Sequence, residues 1–257
     1  MECLKHNFEG YQFASEPVYQ CPLCQDTGIV DVICKNGNIG ARKCECAIRK
    51  QFEIICSKTG FPLAEAKTLD DYQVWNGMTR IAKAKAEEYI QNFDNIRQQN
   101  KNWFIVFGLS GSGKTMLGRA IVRALIERKK PVRARAVKYY DMMQKLKAKS
   151  NYTDYGELLD HYIDCELLFI DDLLKEKAQS GDMTEADIKH LFAVIDSRYD
   201  TVQPTVITTE CTCSRLCDLN EAIYWRIQER AFAKIIFVGT ENNYRKRQSS
   251  EGGGGGV

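Results

Sequence analysis

Gly108-Leu-Ser-Gly-Ser-Gly113-Lys114-Thr115 decides how this chain is read. It satisfies G-x-x-x-x-G-K-[ST] at every required position, and its surroundings agree. The apolar run Asn102–Phe107 (NWFIVF) leads into it as a short buried strand. After it Leu117, Ala120, Ile121, Ala124 and Leu125 recur at helical spacing. A strand, a glycine-rich turn and a helix in that order aim successive backbone N–H groups at a phosphate, and the helix N-terminus adds its positive end. Gly108, Ser110, Gly111, Ser112, Gly113, Lys114, Thr115 and Met116 are therefore the candidate nucleotide-binding set. Lys114 reaches the β- and γ-phosphates in this arrangement, and the Thr115 hydroxyl ligates magnesium.

A nucleotide loop needs a carboxylate partner before it implies hydrolysis. Leu167-Leu-Phe-Ile-Asp171-Asp172 supplies two at the end of a second buried run. Asp171 is the expected magnesium ligand, and Asp172 the group that orients or deprotonates the attacking water. The helix, strand (131–137) and further helix between Lys114 and Asp171 predict one strand inserted between the loop strand and the acidic strand. A third strand end, Val206-Ile-Thr208-Thr209-Glu210, leaves Thr209 and Glu210 as joint candidates for a γ-phosphate sensor. Thr184 with Asp187 predicts a capped helix through Tyr199, and Asn220 caps another to about Phe232. On that last helix Arg226 and Arg230 lie four apart, on one face. Strands alternating with helices, in apolar runs without polar alternation, predict an α/β fold whose parallel sheet is covered on both faces.

The whole chain has 257 residues, 44% hydrophobic and 27% charged, which is ample for a core. Thirty-six basic against thirty-four acidic residues leave a net charge of +2 and no global cationic field. Single-stranded DNA would have to meet a local patch, for which Lys138, Lys145, Lys147 and Lys149 are the candidates. The apolar stretch from Trp103 to Leu109 is too short to span a bilayer, and the first residues lack the apolar core of a signal peptide. The expected location is the cytoplasm.

Seven of the eleven cysteines fall within the first 56 residues. Cys21-Pro-Leu-Cys24 and Cys44-Glu-Cys46 form two knuckles whose four thiolates suit tetrahedral zinc, with Cys34 as an alternative ligand. Cys3 and Cys56 look incidental, and Cys211, Cys213 and Cys217 read as ordinary packing. The predicted organisation is a cysteine-rich zinc module (1–56), a linker (57–76), an ATPase domain (77–247) and a glycine-rich disordered tail (248–257). A segment as small as the first needs such a staple.

Taken together, Leu69-Asp-Asp-Tyr72 with Asn76, the 108–115 loop, Leu168-Phe-Ile-Asp-Asp172, Pro204-Thr-Val-Ile-Thr-Thr209, Arg226-Ile-Gln-Glu-Arg230 and Asn243-Tyr-Arg245 resemble the AAA+ replicative helicase loaders of the DnaC/DnaI type and the related IstB transposition ATPases. The resemblance covers roughly residues 66 to 247. It implies an AAA+ core that binds ATP with magnesium, self-associates when ATP-bound, contacts single-stranded DNA and engages a replicative helicase hexamer. It also implies a catalytic role in trans for Arg226 and a nucleotide contact in cis, or a purely helix-holding role, for Arg230. The front cysteine module is similar to that of DnaI-type loaders and favours helicase loading over an IstB-like role beside a transposase. Two departures stand out: Leu173-Leu-Lys-Glu176 follows the paired acids where the family often has glycine, and Glu210 stands where its polar sensor is commonly asparagine. An intact Asp171-Asp172 pair argues against a nucleotide-switched binding protein without turnover. The absence of an obvious lid argues against a small-molecule kinase.

Overall fold

The computed structural model describes residues 19–34, 37–47, 50, 54, 67–128, 130–149, 151–179, 181–238 and 243. Cys3, Cys56, Tyr244, Arg245 and the tail lie outside them. The chain divides into two compact units, Met1–Gln51 and Phe52–Val257. That boundary falls slightly ahead of the predicted one.

In the first unit β1 (Ile29–Ile33) and β2 (Ile39–Lys43) form an antiparallel hairpin. Gly37, at φ 80°, turns it, and its N–H donates to the Cys34 carbonyl at 2.9 Å.

The second unit is a five-stranded, all-parallel sheet of β3 (Trp103–Gly108), β4 (Ala134–Lys138), β5 (Leu167–Leu173), β6 (Thr205–Thr209) and β7 (Ala231–Phe237), in the order β4-β5-β6-β3-β7. The expected inserted strand is present, but it is β6. β4, which intervenes in sequence, lies at the sheet edge. β7 starts directly where the preceding helix ends, earlier than the sequence suggests. As an edge strand it alternates buried and exposed residues, so it carries no continuous apolar run.

Helices cover both faces. Phe104 and Val106 of β3 join one core with α1 (Gly77–Gln91) and α3 (Lys114–Glu127), while α2 (Phe93–Ile96) closes its end. Trp103, Ile105 and Phe107 face the other core. That core is shared with α4 (Tyr139–Lys147), α5 (Tyr152–Ile163), α6 (Glu185–Asp200), α7 (Cys213–Leu219) and α8 (Glu221–Arg230). The predicted caps form: Thr184 and Asp187 close a reciprocal capping box on α6, and Asn220 accepts from the Ile223 N–H. Gly118 lets α3 approach the sheet closely, since a Cβ there would meet the Phe169 ring at 2.6 Å. The end of the predicted linker belongs to this unit. Tyr72 is buried in its core, and Asn76 caps α1.

Candidate functional site

The loop between β3 and α3 turns through Gly111 (φ 84°) and Gly113 (φ 86°), conformations that favour residues without a Cβ. Ser112 is buried and donates from its hydroxyl to the Leu109 carbonyl at 2.9 Å, and Ser110 accepts from Asn243 at 3.2 Å. Met116 packs on the adjoining core. Lys114 opens α3 and is only 4% exposed, with its ammonium 2.9 Å from the Leu109 carbonyl. Burial pulls its pKa down, against the attraction of Glu210, Asp172 and Asp171.

The carboxyl end of β5 brings its acids to this loop. The Thr115 hydroxyl donates to Asp171 Oδ1 at 2.8 Å, and the Thr208 hydroxyl donates to the same oxygen at 2.6 Å. Burial pushes the Asp171 carboxyl above its ordinary range, although both hydroxyls favour the ionised form. A hydroxyl and a carboxylate oxygen in contact are the hard donors that magnesium takes, so Thr115 and Asp171 fit that ion. Asp172 sits at φ 56°, with its N–H donated to Thr208 Oγ1 at 3.0 Å and its carboxylate 3.0 Å from Lys175 Nζ.

Of the two sensor candidates, the structure brings only Glu210 near Lys114, at 4.0 Å. Thr209 points to the other side: its hydroxyl donates to the Leu173 carbonyl at 2.7 Å and accepts the Cys211 N–H. Adjacent strand residues face opposite ways, so the threonine that meets the acids is Thr208.

Arg230 is not at this site. Its guanidinium donates to Asn100 at 3.1 Å and to the Tyr199 carbonyl, and lies on the Tyr199 ring. Asn100 precedes β3, whereas the loop follows it, so the length of a strand, roughly 20 Å, separates them. Arg230 ties α8 to Asn100 and Tyr199, contacts that suit the second of its two expected roles, holding the helix, rather than a nucleotide contact in cis. Arg226 pairs with Asp196 at 2.6 Å and stacks on Phe192. Two of the four candidate DNA lysines are also engaged, Lys147 with Asp187 at 2.5 Å and Lys149 with Asp154 at 3.6 Å.

Three residues escaped the sequence reading as site components. Thr208 carries a period-2 signal whose phase only strand register settles. Lys175 offers no signal beyond its closeness to the acids. Tyr72 packs beside Gly113, its ring 3.4 Å from where a Cβ there would stand, and its buried hydroxyl has no hydrogen-bond partner among the described residues. An orphaned polar atom against the loop fits a site built for a polar ligand.

In the first unit Cys21, Cys24, Cys44 and Cys46 place their sulfurs within 4.8 Å of one another, with Cys21–Cys44 at 3.7 Å and Cys24–Cys46 at 3.3 Å. Tetrahedral ligation with bonds of about 2.3 Å demands sulfurs about 3.8 Å apart, so the cluster could hold a zinc ion. Contact with the Cys24 sulfur pushes the Cys46 thiol up to about 12, whereas the Cys24 backbone N–H helps bring Cys21 down to about 7. Cys34 is exposed at the hairpin's turn and outside the cluster. Among the described residues Cys211, Cys213 and Cys217 form no such group.

With loop, paired acids and sheet order in place, the chain matches the family described as IstB-like ATP binding protein over residues 44–252. The chain belongs to that family. It is 30% identical over 201 residues to YqaM of Bacillus subtilis (strain 168), which covers 77% of this chain and 63% of that protein, less than two thirds of the relative's length. The crystal structure of the DnaC helicase loader superposes with a TM-score of 0.55 at 20% identity, covering 66% of this chain and 96% of that one. The DnaI crystal structure gives 0.57 at 20% identity, covering 69% and 93%. These neighbours share the chain's α/β fold. No helix among the described residues is long and apolar enough to cross a membrane.

Proposed function

We propose that this protein is an ATP-dependent loader that binds a replicative DNA helicase and helps place it on single-stranded DNA, with ATP binding and hydrolysis as the switch. The observation that carries the ATPase part is the 2.8 Å contact of Thr115 with Asp171, which joins the phosphate loop to the acidic strand end. Thr115 and Asp171 hold magnesium, which when bound supplies charge neutralisation for the phosphates. Lys114 binds the β- and γ-phosphates. Asp172 takes a proton from water as the water oxygen bonds to the γ-phosphorus. The bond from that phosphorus to the bridging oxygen breaks, and ADP and phosphate leave. Arg226 acts in trans on a neighbouring subunit's nucleotide.

Family membership and the fold shared with the DnaC loader and DnaI support the loader part. The zinc-loaded cysteine unit docks the helicase, and Lys138 and Lys145 are the basic residues left for the strand. Lys114→Ala should lose ATP binding, whereas Asp172→Asn should bind and not turn over. Mixed with the hexameric replicative helicase of the same cell, the wild type should co-elute with it in ATP and deliver it to single-stranded DNA. ATP binding without capture of the hexamer would sink the loader reading and spare the ATPase.

A further inference from the structure

Lys175 lies in the site, yet nothing in the loop or the paired acids requires it. Its ammonium is 3.0 Å from Asp172 Oδ2 and 3.4 Å from Glu210 Oε1. The same Glu210 oxygen stands 4.0 Å from Lys114 Nζ. Two lysines thus converge on one anionic oxygen, and one of them is the lysine of the phosphate loop.

The backbone that delivers Lys175 is fixed from several sides. Asp172 and Leu174 adopt left-handed conformations, φ 56° and 52°, which residues with a Cβ rarely take. Thr208 accepts the Asp172 N–H, Thr209 donates to the Leu173 carbonyl, and the Cys211 thiol donates to the Leu174 carbonyl at 3.5 Å. The Leu174 side chain is wholly buried. Lys175 then opens the short 3-10 turn Lys175–Lys177, so its stem starts from an anchored point beside the acids. The hydrogen bond to Asp172 raises its pKa, which keeps the ammonium charged.

Backbone strain gathered at the one place where a cation meets the water-activating carboxylate suggests a purpose beyond a surface ion pair. Among the described residues of this site, Lys114 and Lys175 are the lysines in ion pairs with Glu210. Arg230 instead holds Asn100, just before the amino end of β3, whereas the loop follows its carboxyl end.

We propose that Lys175 contacts the terminal phosphate of the bound nucleoside triphosphate in cis, exchanging its pairing with Asp172 and Glu210 for the γ-phosphate oxygens. The exchange frees the Asp172 carboxylate to accept the proton of the attacking water. It also makes the site sense the third phosphate, because a diphosphate leaves Lys175 on its two carboxylates. This inference rests on the ATPase reading above.

The test compares ATP and ADP affinity, by displacement of a fluorescent nucleotide, in the wild type, Lys175→Ala, Lys175→Gln, Lys175→Arg and Lys114→Ala, with single-turnover hydrolysis alongside. Lys175 is half exposed, and unchanged far-ultraviolet dichroism would verify folding. Lys175→Ala and Lys175→Gln should bind ATP at least tenfold more weakly, keep ADP affinity within twofold and hydrolyse at least tenfold more slowly. Lys175→Arg should recover most of the ATP preference. Equal losses for ATP and ADP would make Lys175 a general positive field. Faster hydrolysis with unchanged affinities would make it a latch on Asp172. Either result overturns the proposal. A wild type that binds neither nucleotide brings down the ATPase reading and this inference together. If wild type binds and Lys114→Ala does not, that reading stands and the Lys175 variants decide alone.

Discussion

The hydroxyl of Thr208 donates to Asp171 Oδ1 at 2.6 Å while its oxygen accepts the Asp172 N–H at 3.0 Å, so one strand residue orients both acids of the neighbouring strand end. Thr208→Val keeps the shape and removes the hydroxyl. Magnesium affinity in the presence of ATP should fall about 10–100-fold, as for other groups that orient a metal ligand. Thr208→Ser should restore most of it. Magnesium titrations of the nucleotide complex that coincide for Val and wild type would refute this role.

One zinc per chain is expected by metal analysis after mild purification. Cys24→Ser and Cys44→Ser should each lose it, and Cys34→Ser should not, because its thiol lies outside the cluster. Chelation should unfold the first unit, whose hairpin leaves Ile29, Ile33 and Ile39 exposed, and leave ATP binding intact. Retained zinc in Cys44→Ser would overturn the ligand assignment.

Arg226→Ala should keep ATP affinity as a monomer and lose stimulated hydrolysis, since an arginine supplied to the transition state is worth roughly 10³–10⁵ in rate in well-studied switches. In the structure its guanidinium pairs with Asp196, so assembly must draw it from that carboxylate. Mixing Arg226→Ala with Lys114→Ala protein should recover part of the activity, because each supplies what the other lacks. A mixture that associates but stays inactive would show that sites are not shared.

Arg198 is fully buried, and its hydrogen bonds among the described residues go to neutral groups. It donates to the Thr205 hydroxyl and to the carbonyls of Tyr162, Ile163, Cys165 and Pro204, tying α5, α6, β5 and β6 together. Arg198→Met leaves several buried carbonyls unpaired, each costing about 1–3 kcal/mol. Urea denaturation should show a loss of at least about 3 kcal/mol. A change below about 0.5 kcal/mol would contradict the clamp.

Burial alone would raise the Asp187 pKa, but hydrogen bonds from Lys147 and Thr184 outweigh it and leave the carboxyl below its ordinary value. A depressed carboxyl stabilises the fold above its unfolded pKa of about 3.9 and loses that contribution as pH falls through the folded value. Asp187→Asn should therefore be less stable than wild type by about 1 kcal/mol near pH 6. The two urea midpoints should converge as pH falls through the folded value. A constant gap across that range would assign the difference to packing.

The sequence by itself determined the features built from contiguous residues. The loop 108–115, the acids after Leu167–Ile170, the knuckles at Cys21/Cys24 and Cys44/Cys46 and the Thr184 and Asn220 caps need only fixed covalent spacing and a local backbone shape. Tertiary structure decided whatever depends on phase or on a distant neighbour. Period 2 says that Thr208 and Thr209 face opposite ways, but only the pairing of β6 with β5 says which of them meets Asp171. Helical spacing puts Arg226 and Arg230 on one face. Packing then sets Arg226 on Asp196, and Arg230 on Tyr199 and on Asn100 ahead of the amino end of β3. Lys147 reads as one of a basic row until α6 brings Asp187 to it, and nothing in local spacing brings Lys175 to Glu210. The partners of Thr208, Arg226, Arg230 and Lys147 come from distant stretches of the chain, which local spacing does not encode.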